Sequence, residues 1–307
     1  MKKEVLITGA AGFIGSKVAK KFLNFANVIT IDNLSTGYIE NLPSDVVFYQ
    51  GNISDRVLVE KVFNENNIDY IIHIAGQSSG EISFDSPEYD LNTNTLSTLH
   101  LLDMANKYDI KKFIYISTMS VYGDKNTSCA EDITCNPKSF YGVGKYASEQ
   151  YLRIYKEQYD IDYICLRLFN IYGPGQNLKN LRQGMASIFL AQLLESNQIN
   201  VHGSLDRFRD LVYVDDVVNI IEELYLMIEF PCNVLNIGTG IKTTVKSLIE
   251  LIASKLNIDD LVINQPLETK GDIFGITSNT DRFYKHFPDF KFTLLDNGIK
   301  NMVEHEI

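Results

Sequence analysis

The first half of the chain alternates short apolar runs with longer segments in which apolar residues recur every three or four positions. Short continuous apolar runs are typical of strands buried on both faces, and the longer period is typical of helices. The runs predict strands at Glu4–Thr8, Val28–Asp32, Val46–Gln50, Tyr70–Ile74, Phe113–Ser117 and Tyr163–Leu168. The periodic segments predict helices at Ile14–Phe25, Arg56–Asn66, Asn94–Lys107 and Tyr141–Tyr159. This alternation predicts an α/β fold, a doubly wound parallel sheet with helices on both faces.

The pattern loosens after about residue 170. The turn residues Gly173-Pro174-Gly175 precede a predicted helix at Met185–Glu195, and strands are predicted at Ile199–His202 and Val234–Ile237. We therefore expect a first domain over residues 1–170 and a smaller α/β lobe over residues 171–307, some segments of which return to the first domain. No repeat or low-complexity linker separates the two in the sequence, so we expect a cleft between them.

Composition and charge narrow the class of function. The 307 residues carry a net charge of −11, which argues against nucleic acid or an anionic membrane surface as the main partner, since both require basic patches. The four cysteines and five histidines are scattered, with no spacing typical of a metal site. The first residues already read as a strand, and no apolar run approaches membrane-spanning length. We expect a cytoplasmic protein with reduced thiols and no metal.

A glycine-rich turn follows the first predicted strand. Gly9, Gly12 and Gly15 fall at a G-x-x-G-x-x-G spacing that opens a predicted helix, and Asp32 ends the second strand 20 residues past Gly12. Such glycines allow close approach to a pyrophosphate at a helix N-terminus, and the carboxylate suits ribose hydroxyls but repels a 2′-phosphate. The pattern favours NAD over NADP. The alternatives are a merely structural turn and, for Asp32, a turn-forming role before Asn33.

A tyrosine and a lysine lie one helical turn apart further along the chain. In Tyr141-Gly142-Val143-Gly144-Lys145 the two side chains share a face, and a nearby ammonium lowers the pKa of the phenol. Thr118 ends an apolar strand and supplies a candidate hydroxyl, with Ser117 and Ser120 as alternatives. The non-catalytic alternative is that Tyr141 is a structural tyrosine at the buried edge of an amphipathic helix. Together these residues indicate a base that removes a proton from an alcohol.

In order and spacing, these motifs resemble the extended short-chain dehydrogenase/reductases, in particular the nucleotide-sugar epimerase/dehydratase group with its UDP-glucose 4-epimerase-like members. The resemblance runs from Val5 to about Asp281. It includes further motifs at Asp32-Asn33-Leu34-Ser35, His73-Ile74-Ala75-Gly76-Gln77, Val121-Tyr122-Gly123, Arg167-x-x-Asn170-x-Tyr172-Gly173-Pro174, Arg209-Asp210-x-Val212-Tyr213-Val214-Asp215-Asp216 and Asn236-Ile237-Gly238-Thr239-Gly240.

The resemblance implies a Rossmann domain that holds NAD and a C-terminal lobe that holds a nucleoside diphosphate sugar. It implies the catalytic residues Thr118, Tyr141 and Lys145. The implied NAD-binding residues are Gly9, Gly12, Phe13, Ile14, Gly15, Asp32, Asn33, Ser35, Asn52, Ile53, Ile74, Ala75, Gln77, Asn94, Tyr141, Lys145 and Phe169. The implied substrate-binding residues are Ser78, Thr118, Asn170, Arg209 and Asp272. For Arg209 the alternative is a surface ion pair with Asp206 or Asp210.

The resemblance also implies the reaction. Related 4,6-dehydratases carry acidic residues directly after the catalytic threonine, where this chain has Met119-Ser120. We therefore expect an NAD-dependent nucleotide-sugar 4-epimerase that forms and reduces a 4-keto intermediate. The alternatives are a C4 dehydrogenase or 4-keto reductase, and a nucleotide-sensing protein without catalysis.

The chain departs from the family pattern at four positions. Asn52 stands for a usual aspartate, Ser97 for a common glycine and Gly144 for a common serine. Thr269 stands where the family usually has an arginine that helps to hold the substrate diphosphate, and Lys270 is the alternative cation.

The resemblance finally implies a homodimer that pairs the helices at Asn94–Lys107 and Tyr141–Tyr159. Apolar residues on these helices suit an intramolecular core equally well. They are Leu96, Leu99, Leu101, Leu102, Ala147 and Leu152.

Overall fold

The computed structural model describes residues 2–125, 127–182, 184–265 and 274–307. Its strands are β1 (Glu4–Thr8), β2 (Asn27–Asp32), β3 (Val47–Gln50), β4 (Ile68–His73), β5 (Lys112–Thr118), β6 (Ser128–Cys129), β7 (Asp162–Leu168), β8 (Asn170–Tyr172), β9 (Gln198–Asn200), β10 (Phe208–Arg209), β11 (Leu211–Tyr213), β12 (Val234–Ile237), β13 (Thr243–Thr244), β14 (Val262–Asn264) and β15 (Thr277–Ser278).

The α-helices alternate with these strands over the first half of the chain. They are α1 (Phe13–Phe22), α2 (Arg56–Glu65), α3 (Gly80–Asp85), α4 (Pro87–Leu91), α5 (Ser97–Lys107), α6 (Phe140–Tyr159), α7 (Met185–Glu195), α8 (Val214–Leu226), α9 (Val245–Lys255), α10 (Asp281–His286) and α11 (Leu295–Glu306). Where the sequence predicts one helix over Asn94–Lys107, the structure has a π-helical segment, Asn92–Leu96, followed by α5. Such segments are rare and often mark functional sites.

The predicted parallel sheet is confirmed. Within the described residues, seven strands form one sheet in the order β12-β7-β5-β4-β1-β2-β3, and β1 pairs in parallel with both β2 and β4. Because the strand order reverses around β1, the carboxyl ends of β1 and β4 border the position where ligands bind in open α/β sheets.

Helices cover both faces of this sheet. On one face the core unites residues of β1, α2, α5, α6 and β5, with Leu101 and Leu152 fully buried. On the other face Tyr225 of α8 lies with its ring centroid 5.1 Å from that of Phe22 in α1 and 5.0 Å from that of Tyr70 in β4. Aromatic contacts at these distances add to the burial of apolar surface.

The chain divides into two compact units. Unit 1 comprises Met1–Val121, Ser139–Arg167 and Val218–Leu235, and unit 2 comprises Tyr122–Lys138, Leu168–Val217 and Asn236–Ile307. The expectation that the first domain holds NAD and the second a nucleotide sugar stays a prediction.

Unit 2 has a core and a buried anchor of its own. Residues of α7, α9 and α11 pack together, with Ile249 and Ile299 fully buried. The Asp210 carboxylate, also fully buried, accepts from the amides of Thr239 and Gly240 at 2.8 and 2.9 Å and from that of Ser278 at 2.9 Å. Three loop amides thus converge on one carboxylate, which satisfies its charge without water.

Two further observations concern expectations from composition. Among the helices of the described residues, none combines the length and the apolar character required to cross a membrane. The four cysteines, all within the described ranges, form no disulfide.

Candidate active site

The glycine turn lies between β1 and α1. Gly12 caps the N-terminus of α1 in an extended conformation, no side chain caps this end, and the first turn carries no acidic residue. A Cβ atom at Gly15 would lie 2.0 Å from the carbonyl oxygen of Gly9, so the turn closes this tightly only without a side chain there. The uncapped amides and the absence of side-chain bulk fit a pyrophosphate at the helix N-terminus.

Asp32 lies beside this turn at the end of β2. It is 8% exposed, and its Oδ2 accepts from the amide of Ala11 at 2.9 Å while Oδ1 accepts from the amide of Leu34 at 2.8 Å. The carboxylate is thereby fixed next to the turn and keeps lone pairs for ribose hydroxyls. Of the two residues predicted after it, Asn33 accepts from the amide of Ser35 at 3.0 Å, and Ser35 is exposed.

The predicted adenine contacts lie in the loop before α2. The Asn52 side chain accepts from the amide of Ser54 at 3.0 Å, whereas the Ile53 side chain is 4% exposed and belongs to the core. Asn52 therefore shapes the loop as an aspartate would, because its side-chain oxygen makes the same kind of turn.

Thr118, Tyr141 and Lys145 come together in unit 1. Thr118 ends β5, and the Tyr141 hydroxyl is hydrogen-bonded to it. The Lys145 ammonium donates to the carbonyl oxygen of Ile116 at 3.0 Å and lies 4.9 Å from the ring centroid of Tyr115. Ser139 caps α6 by accepting from the amide of Gly142 at 3.1 Å, which fixes the helix start directly before Tyr141.

The structure favours Thr118 over its two neighbours as the hydroxyl of the site. Ser117 donates to Oε1 of Glu149 at 2.5 Å inside the core, and that carboxylate is also held by Arg167 at 2.6 Å. Ser120 faces Thr118, with 3.3 Å between the two hydroxyl oxygens. Thr118, in contrast, is hydrogen-bonded to the Tyr141 hydroxyl.

The expected lowering of the Tyr141 pKa is absent. Burial raises the pKa of Tyr141 to about 12, the Thr118 hydrogen bond opposes this rise, and the charge of Asp90 adds to it. Burial also lowers the pKa of Lys145 to about 8, against the opposing effect of Asp90. For the protein without NAD the predicted lowering of the Tyr141 pKa was wrong. The prediction considered only the attraction between Lys145 and the Tyr141 phenolate, and it omitted the desolvation of the buried phenol, which is the larger effect here.

The loop after β4 carries the next group of predicted residues. Ile74 and Ala75 are half-buried, and the Ala75 amide donates to the carbonyl oxygen of Thr8 at 3.1 Å, beside the glycine turn. Gln77 is 8% exposed, whereas Ser78 is exposed.

Asn94 and its neighbour Asp90 lie deeper. Asn94 is fully buried, and its Nδ2 donates to Oδ1 of Asp90 at 3.0 Å. Asp90 is a neighbour of the candidate site residue Asn94 that the sequence reasoning did not name. The signal was available, because Asp90 precedes Asn94 by one helical turn.

Two departures from the family pattern have a local explanation. The Ser97 hydroxyl donates to the carbonyl oxygen of Thr93 at 2.5 Å and lies 3.4 Å from Nε2 of His73, a fully buried ring. At Gly144 an added Cβ would lie 3.0 Å from Oγ1 of Thr95, whose hydroxyl donates to the Gly144 carbonyl at 3.1 Å. A side chain at position 144 would therefore require the Thr95 hydroxyl to shift by a few tenths of an ångström.

The remaining predicted residues belong to unit 2. Asn170 begins β8, and its buried Oδ1 has no hydrogen-bond partner among the described residues. Phe169 is 4% exposed, with its ring centroid 6.5 Å from that of Tyr122. Asp272 lies outside the described residues, and so does Thr269, which stands where the family usually has an arginine.

Arg209 is buried rather than on the surface. It is 6% exposed, and its Nη1 donates to the carbonyl oxygen of Phe208 at 2.8 Å and to that of Phe274 at 3.4 Å. Burial and then the charge of Arg207 lower the pKa of Arg209 to about 10, while Asp124 opposes them. The alternative of a surface ion pair is therefore wrong.

A glycine turn at the switch point of a parallel sheet, with a Thr–Tyr–Lys group beside it, defines an NAD-dependent enzyme of the Rossmann type. The sequence model of the NAD dependent epimerase/dehydratase family matches residues 5–238, and the chain belongs to that family.

Of two curated relatives of this chain, one is named as an epimerase and the other as a dehydratase. The chain is 35% identical to a putative UDP-glucose 4-epimerase of Methanocaldococcus jannaschii, over 89% of this chain and 88% of the relative. It is 33% identical to a dTDP-D-glucose 4,6-dehydratase of Dictyostelium discoideum, over 77% of this chain and 58% of the relative.

Two solved structures resemble the whole chain. One is the UDP-glucose 4-epimerase of Thermotoga maritima with UDP-glucose, at 35% identity and a TM-score of 0.92, covering 99% of this chain and 98% of that one. The other is the UDP-glucose 4-epimerase of Thermus thermophilus in complex with NAD, at 29% identity and a TM-score of 0.89, covering 98% of each chain.

Proposed function

We propose that the protein is a nucleotide-sugar 4-epimerase. The observation that carries this proposal is the Thr118–Tyr141–Lys145 group, in which the tyrosine is hydrogen-bonded to Thr118 and the residues after Thr118 carry no carboxylate. A hydroxyl, a phenol and an ammonium at the end of β5 suit reversible oxidation of an alcohol.

The chain's own residues move and hold the proton of the sugar. Tyr141, as phenolate, takes the proton of the 4-hydroxyl while that oxygen becomes a ketone, and it later returns the proton. Thr118 holds the reacting oxygen by a hydrogen bond, and Lys145 places a positive charge near the phenol. When bound, NAD would supply the acceptor and donor of the C4 hydride, and its positive nicotinamide ring would favour the phenolate.

The turn after Thr118 supports epimerisation over dehydration. A dehydratase needs an acid and a base near C5 and C6 of the sugar, and a thioether or an alcohol is a poor choice for either role. Met119 is 9% exposed, and the Ser120 amide donates to the Thr118 hydroxyl at 3.1 Å. Of the buried carboxylates near Lys145, Glu149 is held by Arg167 at 2.6 Å, and Oδ1 of Asp90 accepts from the side-chain amides of Gln77 and Asn94.

The residues that hold the ligands are proposed from the resemblance. In unit 1 the glycine turn and Asp32 bind NAD, together with the other residues that the resemblance implies. In unit 2 the buried Arg209 guanidinium and the Asn170 amide are proposed to hold the substrate diphosphate, for which a guanidinium fork is well suited. Two relatives named as UDP-glucose 4-epimerases favour UDP-glucose as the first substrate to test.

The test incubates the purified protein, without added cofactor, with UDP-, dTDP-, GDP- and CDP-hexoses. Proton NMR reports the configuration at C4, and absorbance reports NADH. A C4 epimer without lasting NADH is expected. A 4-keto-6-deoxy product would instead identify a dehydratase. Lasting NADH together with a keto sugar would identify a C4 dehydrogenase. NAD binding without any hydride transfer would identify a nucleotide sensor.

We further propose a homodimer formed through α5 and α6. Leu101, Leu102 and Leu152 are fully buried in the core of the single chain, so these three residues are not available for an interface. Leu96, Leu99 and Ala147 are half-buried, and Val143 on α6 is 52% exposed. Sedimentation velocity should give the mass of a dimer, and Val143→Asp should shift it to that of a monomer. A wild-type monomer at micromolar concentration would contradict the proposal.

A further inference from the structure

Asp90 is a buried carboxylate that the reaction described above leaves without a role. It belongs to α4 and is 1% exposed. Its Oδ1 accepts from Nε2 of Gln77 at 2.8 Å and from Nδ2 of Asn94 at 3.0 Å. Its Oδ2 is also buried and has no hydrogen-bond partner in the described part of the chain. A buried carboxylate with an unsatisfied oxygen is costly, so its retention calls for a reason.

Among the described residues, Asp90 interacts electrostatically with two titratable groups of α6, Lys145 and Tyr141. Lys145 acts on the Asp90 carboxyl, and Asp90 in turn acts on both Lys145 and Tyr141. Lys145 also faces the titratable groups of Glu149, Cys165 and His73. Burial raises the pKa of Asp90, whereas the Gln77 hydrogen bond, Lys145 and the Asn94 hydrogen bond lower it.

Of the two carboxylates that act on Lys145 among the described residues, Asp90 is the one without a cationic side chain in direct contact there. Glu149 is held by the Arg167 guanidinium at two positions, Nη2 to Oε2 at 2.6 Å and Nε to Oε1 at 3.0 Å. The partners of Asp90 are two neutral amides. Its negative charge therefore reaches Lys145 with less compensation than that of Glu149.

Asp90 also decides which way the Asn94 amide points. Both hydrogens of Asn94 Nδ2 are used, one toward Oδ1 of Asp90 and one toward the carbonyl oxygen of Gln77 at 2.9 Å. Oδ1 of Asn94 must then point to the opposite side. A Cβ atom built on Gly76 would lie 2.6 Å from this oxygen and 3.0 Å from Nζ of Lys145, so the acceptor and the ammonium flank the same glycine.

The bare backbone at position 144 keeps Oδ2 of Asp90 free of a donor. A Cβ at Gly144 would lie 3.4 Å from this oxygen, and a hydroxyl on that carbon would come within hydrogen-bond reach of it. The serine that is common at this position in the family would thus donate to Asp90 and weaken its field.

We infer that Asp90 is a positioning residue of the redox site, which orients the Asn94 amide and holds the Lys145 ammonium in its charged form. The catalytic part of this inference rests on the proposed function, whereas the contacts of Asp90 do not depend on that function. Since a negative charge stabilises a nearby ammonium, loss of the Asp90 charge must lower the pKa of Lys145, and likewise that of Tyr141.

The test compares wild type with Asp90→Asn, which keeps the shape and removes the charge, and with Asp289→Asn, which removes an exposed carboxylate of unit 2. Carbon-13 NMR of lysine-labelled protein as purified follows the ionisation of Lys145, assigned through Lys145→Met. We expect the Lys145 transition, near pH 8 in wild type, to fall by about one unit in Asp90→Asn and to stay unchanged in Asp289→Asn.

Gly144→Ser keeps the inference testable if Asp90→Asn does not fold. It should shift the Lys145 transition in the same direction by a smaller amount, because the serine hydroxyl shields Asp90 without removing it. An unchanged Lys145 transition in a folded Asp90→Asn or Gly144→Ser protein would overturn the inference.

Turnover gives a second readout. In Asp90→Asn the pH dependence of kcat should move to lower pH, while KM for the sugar nucleotide changes less than about twofold. A merely structural role would lower kcat without moving the profile, and that result would also overturn the inference. If wild type turns over no sugar nucleotide, the proposed function fails while the NMR titration still decides the role of Asp90.

Discussion

The Lys145 ammonium donates to the carbonyl oxygen of Ile116 at 3.0 Å, two residues before Thr118 on the same strand. This hydrogen bond joins helix α6, which carries the proposed base Tyr141, to the end of the strand that carries Thr118. The lysine, at 3% exposed, therefore has a structural contact as well as its charge. A long side chain held at both ends loses little further entropy when substrate binds.

The first prediction concerns the proposed base. Tyr141→Phe removes only the phenol oxygen, so turnover should fall about 10²–10⁴-fold while the melting temperature stays near that of wild type. Steady-state kinetics with the sugar nucleotide that the proposed panel gives as substrate measures turnover, and calorimetry measures the melting temperature. Tyr159→Phe, at a 45% exposed tyrosine of the same helix, is the matched control and should keep full turnover. Near wild-type turnover of Tyr141→Phe would remove Tyr141 from the mechanism.

The second prediction concerns the cost of burying Lys145. Its pKa falls from 10.5 to about 8 on folding, so the unfolded chain binds the extra proton between these values. Below pH 8 the full cost of about 3 kcal/mol is present, and it is relieved as the pH rises toward 10.5. Lys145→Met should therefore be inactive yet more stable than wild type at pH 7, with the difference shrinking by pH 10. Urea unfolding at both pH values measures this, and a difference that does not depend on pH would contradict it.

The third prediction concerns the buried ion pair of Glu149 and Arg167. Glu149→Gln leaves the guanidinium buried without its counter-charge, which should lower the free energy of unfolding by about 3 kcal/mol. The same helix provides the control, since Glu157 pairs with Arg153 at 2.8 Å on the surface. Glu157→Gln should cost less than about 1 kcal/mol. Equal losses in the two variants, measured by urea unfolding, would show that burial does not matter to this pair.

The fourth prediction concerns NAD retention at the glycine turn. Gly15→Ala places a Cβ atom 2.0 Å from the carbonyl oxygen of Gly9, so the turn must open. The protein should lose NAD during purification, as measured by the nucleotide released on denaturation. Gly80→Ala is the control, because its Cβ would meet only Ser139 at an ordinary 3.8 Å. Retention of NAD by Gly15→Ala equal to that of the control would remove this turn from the cofactor site.

The sequence predicted the parts of this protein that depend on short-range patterns. The strand Glu4–Thr8 and the helix Met185–Glu195 have the predicted bounds, because an apolar run and a helical period are local properties. The pairing of Tyr141 with Lys145 on one helix face follows from helix geometry in the same way. Their roles, like those of the other candidate site residues, stay predictions.

The features that the sequence did not predict depend on contributions from residues that are distant along the chain. The raised pKa of Tyr141 comes from burial by the whole fold, and no local spacing reveals it. The π-helical segment Asn92–Leu96 adds a residue to one turn, which a regular helical period cannot anticipate. The sequence places Asp90 one helical turn before Asn94, but the burial of its carboxylate and its interaction with Lys145 are properties of the packed structure.

Unit 1 is assembled from three separate stretches of chain, the last of which is Val218–Leu235. Tyr225, in that stretch, has its ring 5.0 Å from that of Tyr70 and 5.1 Å from that of Phe22. During synthesis on the ribosome, the aromatic face around Tyr70 and Phe22 therefore waits for more than a hundred further residues to be made before it is covered. At about 5–20 residues per second, this face of the nascent chain is without its Tyr225 contacts for roughly ten to thirty seconds.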